Sequence, residues 1–297
     1  MTKIDLHMHS IYSDDGQYTV KELFDIAKKQ QLTHMAIADH NSVKAIYEAH
    51  TLEKDYDIEY IDAVELDCTY KGVNLHLLGY NFDYTLPIFE AIEKDIYNQM
   101  LKNRDTLIQK IQELGIIIDM EKLNELCPDG IVVGEDIAEV VIPDTRNHNH
   151  PLIQPYLENG TRSDNPYVNF YWDICSQGKP AYVKMEFMSL EDAIQIIHSA
   201  GGICVVAHPG NNFKGKNDIL KEILAMDVQG LEVYSSYHSQ EQIAYYKQLA
   251  SDYSKICTVG SDFHGKTKPN IQMGSTSPID ADDVINSFKS ILKKSEH

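Results

Sequence analysis

The sequence predicts an α/β protein built on a largely parallel sheet, open or closed into a barrel, with a mainly helical segment inserted into it. Short apolar runs alternate with amphipathic helical stretches at both ends of the chain, the pattern of parallel strands covered by helices. Histidines and carboxylates recur near the ends of many of these runs, and the C-terminal rim of a parallel barrel collects its functional groups there. Between about residues 88 and 178 the alternation stops.

Residues 3–7 read as a strand, and 19–31 ("TVKELFDIAKKQQ") as a helix with Val20, Leu23, Phe24 and Ala27 on one face. Residues 34–40 make a second strand, and Ser42 is placed to cap the helix after it. Strands at 58–68 and 73–80 are joined by a Lys-Gly turn. The rhythm resumes near 190 with a helix at 190–200, a strand at 203–208, a helix at 217–226 and a strand at 230–234. A helix at 240–254, a strand at 255–262 and a closing helix at about 281–294 complete it. The intervening 88–178 holds a long helix (88–114), a short one near 120–126 and then loop-rich sequence, with five of the chain's ten prolines. These boundaries predict a barrel from 1–87 and 179–297 and an inserted subdomain, 88–178, capping the substrate site.

A chain of 297 residues, 43% hydrophobic, can bury one large core or two modest ones. Its 45 acidic against 26 basic residues give a formal charge of −19, which argues against stable binding of duplex nucleic acid, where lysine and arginine contacts to phosphates dominate affinity. An anionic substrate stays open if bound cations reverse the sign locally. The five cysteines are scattered and lack CxxC spacing, as expected of free thiols in a reducing cytoplasm. No secretory pattern opens the chain and no apolar run approaches the roughly 20 residues of a membrane helix, so a soluble cytoplasmic protein without membrane contact is expected.

The chemistry lies in "KIDLHMHSIYSDDG" and its echoes. His7 and His9 alternate on an extended segment, so both rings leave the same face about 7 Å apart at Cα, a separation that suits convergence on one ion. Asp14 and Asp15 follow in the next loop, His40 ends "AIADH", Glu65 lies in "DAVELDC" and His76 in "NLHLLGY". His208 ends "ICVVAH", and Asp262 and His264 end "CTVGSDFH". Taken singly, each is explained by a turn or a structural hydrogen bond. Together, burying so many imidazoles and carboxylates unpaired would cost several kcal/mol per charge, which bound divalent cations remove. The donors are nitrogen and oxygen only, suiting Mn, Fe or Zn. Asp39 is placed to orient a ligand histidine.

The ordered motifs "DLHMHSIYSDDG", "IADHN", "VELDC", "LHLLGY", "VVAHPG" and "VGSDFHG" resemble those of the PHP (polymerase and histidinol phosphatase) superfamily of metal-dependent phosphoesterases. With "QGKPAYV" and "GLEVYSSYHSQEQIAYY" they resemble the subfamily of nucleoside 3′,5′-bisphosphate phosphatases and a related 5′-to-3′ exoribonuclease. The resemblance implies a distorted (β/α)7 TIM-like barrel holding two or three divalent ions (Mn, Fe or Zn). It implies that His7, His9, Glu65 and Asp262 hold one ion, that Glu65 bridges to a second completed by His76 and His208, and that His40, His264 and an aspartate hold a third. Asp14 keeps the usual spacing from His9 and is slightly preferred, with Asp15 its rival. Glu65, Asp262 and His264 are the catalytic candidates, around a metal-held hydroxide that attacks phosphorus.

The resemblance further implies a small phosphorylated substrate, foremost a nucleoside 3′,5′-bisphosphate, with short oligoribonucleotides as the alternative and a non-catalytic metal-binding interaction domain as the reading from another class. Arg146, Arg162, Lys179, Lys184 and His238 are the substrate-binding candidates, with Lys214 a further basic residue. His148 and His150 form a second His-x-His in a proline-flanked loop. One departure stands out: "GEDIAEV" (134–140) replaces the Arg-Pro-His-Ile-Ala segment common in the subfamily, so Gly134 and Asp136 stand where arginine and histidine would.

Overall fold

The computed structural model describes residues 2–295. In chain order the elements are β1 (Ile4–Met8), α1 (Val20–Lys29), β2 (His34–Ile37), α2 (Lys44–Leu52), β3 (Glu59–Tyr60), β4 (Ala63–Tyr70), β5 (Val73–Tyr80), α3 (Pro87–Glu113), α4 (Met120–Leu126), α5 (Gly134–Val141), α6 (Pro166–Phe170), β6 (Met188–Ser189), α7 (Leu190–Ser199), β7 (Ile203–Val206), α8 (Pro209–Asn212), α9 (Asn217–Leu224), β8 (Gly230–Ser235), α10 (Gln240–Asp252), β9 (Ile256–Gly260) and α11 (Ala281–Ser295).

Seven strands close a distorted barrel. β1 pairs with β2 in parallel, β4 with β5 antiparallel, β5 with β7 antiparallel, and β7–β8–β9 run parallel. Two short bridges complete the ring. The chain after β9 joins β1, with Asp262 N donating to His7 O at 2.8 Å and His9 N to Phe263 O at 2.9 Å. The chain after β2 joins β4, with Asn41 N donating to Glu65 O at 2.8 Å and Glu65 N to Asp39 O at 3.1 Å. β5 alone runs against both its neighbours, so its beginning lies at the rim where the parallel strands end, and His76 joins the histidines there. The turn that reverses it is Lys71-Gly72, with φ of 49° and 77°, the mirror-type two-residue hairpin turn in which glycine removes the steric cost.

The strand expected at 58–68 is broken at Ile61–Asp62, because β3 extends the β2 side while β4 turns away to pair with β5. Helix α1 begins at Thr19 with a reciprocal cap: Glu22 N donates to Thr19 Oγ1 at 3.3 Å and Thr19 N to Glu22 Oε2 at 2.8 Å. Ser42 does not cap α2 in the expected manner; Val43 holds that position without a side-chain bond, and Ser42 Oγ reaches only Lys44 N, at 3.4 Å.

Apolar burial falls into two clusters. The barrel core includes Ile4, Leu6, Met8, Phe24, Met35, Leu77 and Phe288. The second gathers Ile108, Ile111, Leu123, Ile137, Val141, Ile153, Phe170 and Ala181. Helix α3 spans the two, since its Phe89 and Ile92 pack into the barrel core and its Ile108 and Ile111 into the other. The loop-rich stretch holds more structure than its sequence predicts, including α5, α6 and a π-helical turn at Tyr171–Cys175. Among the described residues no helix is long and apolar enough to cross a membrane.

Candidate metal centre

β1 is buried on both faces, and its alternation separates two jobs: Ile4, Leu6 and Met8 enter the apolar core, while Asp5, His7 and His9 carry the polar face. Asp5 Oδ1 accepts from Ser261 N at 2.8 Å and Asp5 Oδ2 from Gly274 N at 2.7 Å, tying β1 to the segment after β9. Asp262 follows β9 with a φ of +58°, a left-handed conformation uncommon for non-glycine residues, and its carboxylate reaches the β1 histidines.

Glu65 is the centre of the cluster and divides its two oxygens. Oε2 lies 3.1 Å from His7 Nε2, 3.3 Å from His9 Nε2 and 3.3 Å from His40 Nδ1. Oε1 lies 3.0 Å from both His76 Nδ1 and His208 Nε2. Asp262 Oδ1 lies 3.1 Å from His9 Nε2 and 3.5 Å from His7 Nε2. Asp15 Oδ2 lies 3.2 Å from His264 Nε2, and the His264 ring stacks on His9 with centroids 3.9 Å apart. Three linked groups result, each with donor atoms within 4.8 Å of one another: His7, His9, Glu65 and Asp262; Glu65, His76 and His208; and His9, Asp15, His40 and His264. His40, Asp67 and His76 form a fourth such group.

These donors fit divalent cations. The Nε2 atoms of His7 and His9 face each other at 3.1 Å while both face carboxylates, and Asp15 Oδ1 and His40 Nδ1 are buried with no hydrogen-bond partner. Such orphaned groups are costly without a partner. Burial opposes a charge on His9, yet Asp262 and Glu65 outweigh it and push its pKa up to about 9. Burial likewise opposes a charge on His76, where Glu65 and Asp67 push the value to about 9. The carboxylates thus hold protons on His9 and His76 in the absence of another cation, whereas burial pushes His40 and His264 below the ordinary imidazole value.

Four of the remaining nitrogens are held by further groups, while His208 Nδ1 is buried with no hydrogen-bond partner among the described residues. His7 Nδ1 lies 3.0 Å from Glu232 Oε1, and His9 Nδ1 lies 2.8 Å from Ser13 Oγ, which donates to Asp39 Oδ1 at 3.0 Å. His76 Nε2 lies 3.2 Å from Asp67 Oδ1, and His264 Nδ1 donates to Asp262 O at 2.8 Å. A carboxylate or carbonyl on one nitrogen keeps the proton there and aims the other lone pair at the centre. Asp39 thus reaches its histidine through a serine.

The structure brings His7, His9, His40, Glu65, His76, His208, Asp262 and His264 together. Of the two loop aspartates, Asp15 faces His264, while Asp14 is exposed to the adjoining cavity, because the loop turns between them. Sequence reasoning missed Glu232, Asp67, Tyr237 and Lys268. An acid inside the apolar strand "GLEVYS" and an acid two residues beyond Glu65 were the legible signals for Glu232 and Asp67. Tyr237 Oη and Lys268 Nζ both donate to Asp262 Oδ2, the latter at 2.6 Å.

The five substrate-binding candidates all lie outside the cavity lining. Arg146 is exposed and forms an ion pair with Asp144, Arg162 is held by Asp173 at 3.0 Å and Lys184 by Glu186 at 2.8 Å, while Lys179 is exposed. His238 is committed through both nitrogens, accepting from Gly210 N at 3.0 Å and donating to Val233 O at 2.8 Å. His150 lies away from the cavity, with Nε2 3.1 Å from Leu114 O.

The cavity beside the cluster has a volume of about 330 Å³. Asp14, Asp15, His40, His76 and His208 form its floor side, and Met100, Leu107, Tyr171 and Trp172 contribute from the second cluster's segment. In "GEDIAEV", Asp136 Oδ2 accepts from Val133 N at 3.0 Å and starts α5, and Glu135 is buried and lines the cavity. A Cβ at Gly134 would stand 2.9 Å from Cys175 Sγ, so an arginine there would displace the π-helical turn.

Residues 5–135 match the PHP domain family. The chain is 28% identical over 282 residues to a 3′,5′-nucleoside bisphosphate phosphatase of Chromobacterium violaceum, covering 94% of this chain and 93% of that one. It is 29% identical over 265 residues to a 5′-3′ exoribonuclease of Haemophilus influenzae, covering 88% and 90%. Among solved structures, one from Chromobacterium violaceum described as an amidohydrolase with bound sulfate and no metal superposes with a TM-score of 0.76 at 26% identity, covering 93% and 92%. A protein from Bifidobacterium adolescentis assigned as a metal-dependent phosphoesterase shares the fold, with a TM-score of 0.75 at 20% identity, covering 96% of each.

Proposed function

On the premise that this chain carries a PHP domain over residues 5–135, we propose that the protein hydrolyses a phosphomonoester of a small nucleotide, most suitably a nucleoside 3′,5′-bisphosphate. The observation that carries this reading is the division of Glu65 between two histidine sets, of which His40, His76 and His208 line a cavity of nucleotide size. Divalent ions held by these groups would make a coordinated water more acidic and offset charge on the phosphoryl oxygens.

The chain's own residues do the rest. Glu65 and Asp262 stay ionised, since the surrounding histidines hold Glu65, and Lys268 and His264 hold Asp262, well below the usual carboxylate range despite burial. Lys268 and Tyr237 fix the orientation of Asp262. Met100, Leu107, Tyr171 and Trp172 offer an apolar and aromatic wall on which a nucleobase can lie, shielding the phosphate end from bulk water.

Protein loaded with Mn²⁺ is expected to release phosphate from adenosine 3′,5′-bisphosphate and to leave short RNA largely intact. Preferential release of mononucleotides from the 5′ end of an RNA oligomer would replace this reading with exonuclease action. No turnover of any phosphoester, with metal bound by elemental analysis, would replace it with a non-catalytic metal-binding role.

A further inference from the structure

We propose that the cavity carries a separate subsite for a second anionic group of the substrate, formed by Lys216 with the side-chain amides of Asn74 and Asn211. It rests on the phosphomonoesterase reading and names where the non-reacting phosphate goes. The five candidates drawn from the sequence lie outside the cavity lining, and three of them are paired with carboxylates, so the second phosphate needs another partner.

The cavity is electrically lopsided. Its cationic side chains among the described residues are Lys216 and Lys268. Lys268 is buried and held by Asp262 at 2.6 Å, so its charge is spent within the cluster. Lys216 is exposed to the cavity and has no carboxylate partner among the described residues. Asn74 precedes His76 by two residues on β5, so its side chain leaves the same face of the strand, about 7 Å further out. Asn211 lies in α8, three residues beyond His208. Both amides line the cavity and neither has a side-chain hydrogen bond within the described protein. Asn74 and Asn211 thus stand two and three residues from His76 and His208, the two histidines that share Glu65 Oε1, and Lys216 lines the same cavity.

Asp14, Asp15 and Glu135 line the same cavity, and Glu135 is 6% exposed. With Lys268 already paired to Asp262, a bisphosphate that sets one phosphate over the cluster finds its second cationic partner at Lys216. Charge-assisted hydrogen bonds of this kind are worth about tenfold or more in affinity.

The test compares adenosine 3′,5′-bisphosphate with adenosine 3′- and 5′-monophosphates on Mn²⁺-loaded protein, measuring both turnover and equilibrium binding by calorimetry. Wild-type protein is expected to prefer the bisphosphate. In Lys216→Ala, and further in Lys216→Glu, kcat/KM and affinity for the bisphosphate fall about tenfold more than for the monophosphates. Lys221→Ala, which removes an exposed charge from α9, serves as the control and keeps the wild-type ratio. If Lys216→Ala and Lys216→Glu retain the wild-type ratio, the subsite does not exist. If none of the three compounds is turned over but Lys216→Ala still weakens bisphosphate binding selectively, the subsite stands and the proposed reaction falls.

Discussion

Glu232 joins two ligand-bearing strands: its Oε1 lies 3.0 Å from His7 Nδ1 and its Oε2 accepts the His208 amide at 2.8 Å. One buried carboxylate on β8 thereby sets both the His7 tautomer and the end of β7. Glu232→Gln offers a donor where one of these contacts needs an acceptor. Metal affinity is expected to fall about 10- to 100-fold, with an unchanged circular-dichroism spectrum. Elemental analysis after dialysis against dilute metal checks it; full occupancy in the variant would show that Glu232 is structural only.

The two loop aspartates should separate under mutation. Asp15→Asn removes the oxygen that faces His264 and is expected to lower metal content by about one ion per chain and kcat by at least about tenfold. Asp14→Asn, exposed to the cavity, should keep the metal complement. The reverse ranking would restore the preference drawn from spacing.

Gly260, at the end of β9, has no room for a side chain. A Cβ there would stand 2.2 Å from both Glu232 Oε1 and His7 Cβ. Gly260→Ala is expected to cost at least about 1–3 kcal/mol of stability by overpacking and to lower metal affinity with it. Wild-type Tm together with wild-type metal affinity would refute the assigned crowding.

The pH dependence of stability has a local contributor outside the cluster. Burial lifts Asp136 from an ordinary 3.8 to about 6, against hydrogen bonds from Val133 N and Cys127. Because the folded value is raised, the native state keeps a proton that the unfolded chain has lost, and wild-type stability declines as pH rises from about 4 through about 6. Asp136→Asn retains an acceptor for Val133 N and removes the titration. The Tm of the variant minus that of wild type should therefore grow between pH 4 and pH 7.5, by calorimetry. A difference that shrinks over this range would reverse the assigned sign.

Much of the fold and of the candidate cluster was legible in the chain because period and residue type carry local information. Alternation placed His7 and His9 on one face of β1, and apolar runs located strands whose ends hold His40, His208 and Asp262. The mirror-type turn at Lys71-Gly72 announced the hairpin. Within 88–178, by contrast, α5 and the π-helical turn gain their order from packing in the second cluster, which no short window of sequence displays.

What the sequence by itself determined is the donor set and the strands that bear it, since those follow from side-chain chemistry and from the two-residue period of extended backbone. Only the tertiary structure decided which groups meet. It set Asp15 against His264 and Asp14 toward the cavity, brought Glu232, Tyr237 and Lys268 to the cluster, and left Arg146, Arg162, Lys179, Lys184 and His238 outside the cavity lining. The physical reason is that a cation, a carboxylate or an imidazole takes its role from neighbours within about 4 Å, and closing the barrel chooses those neighbours from positions far apart in the chain.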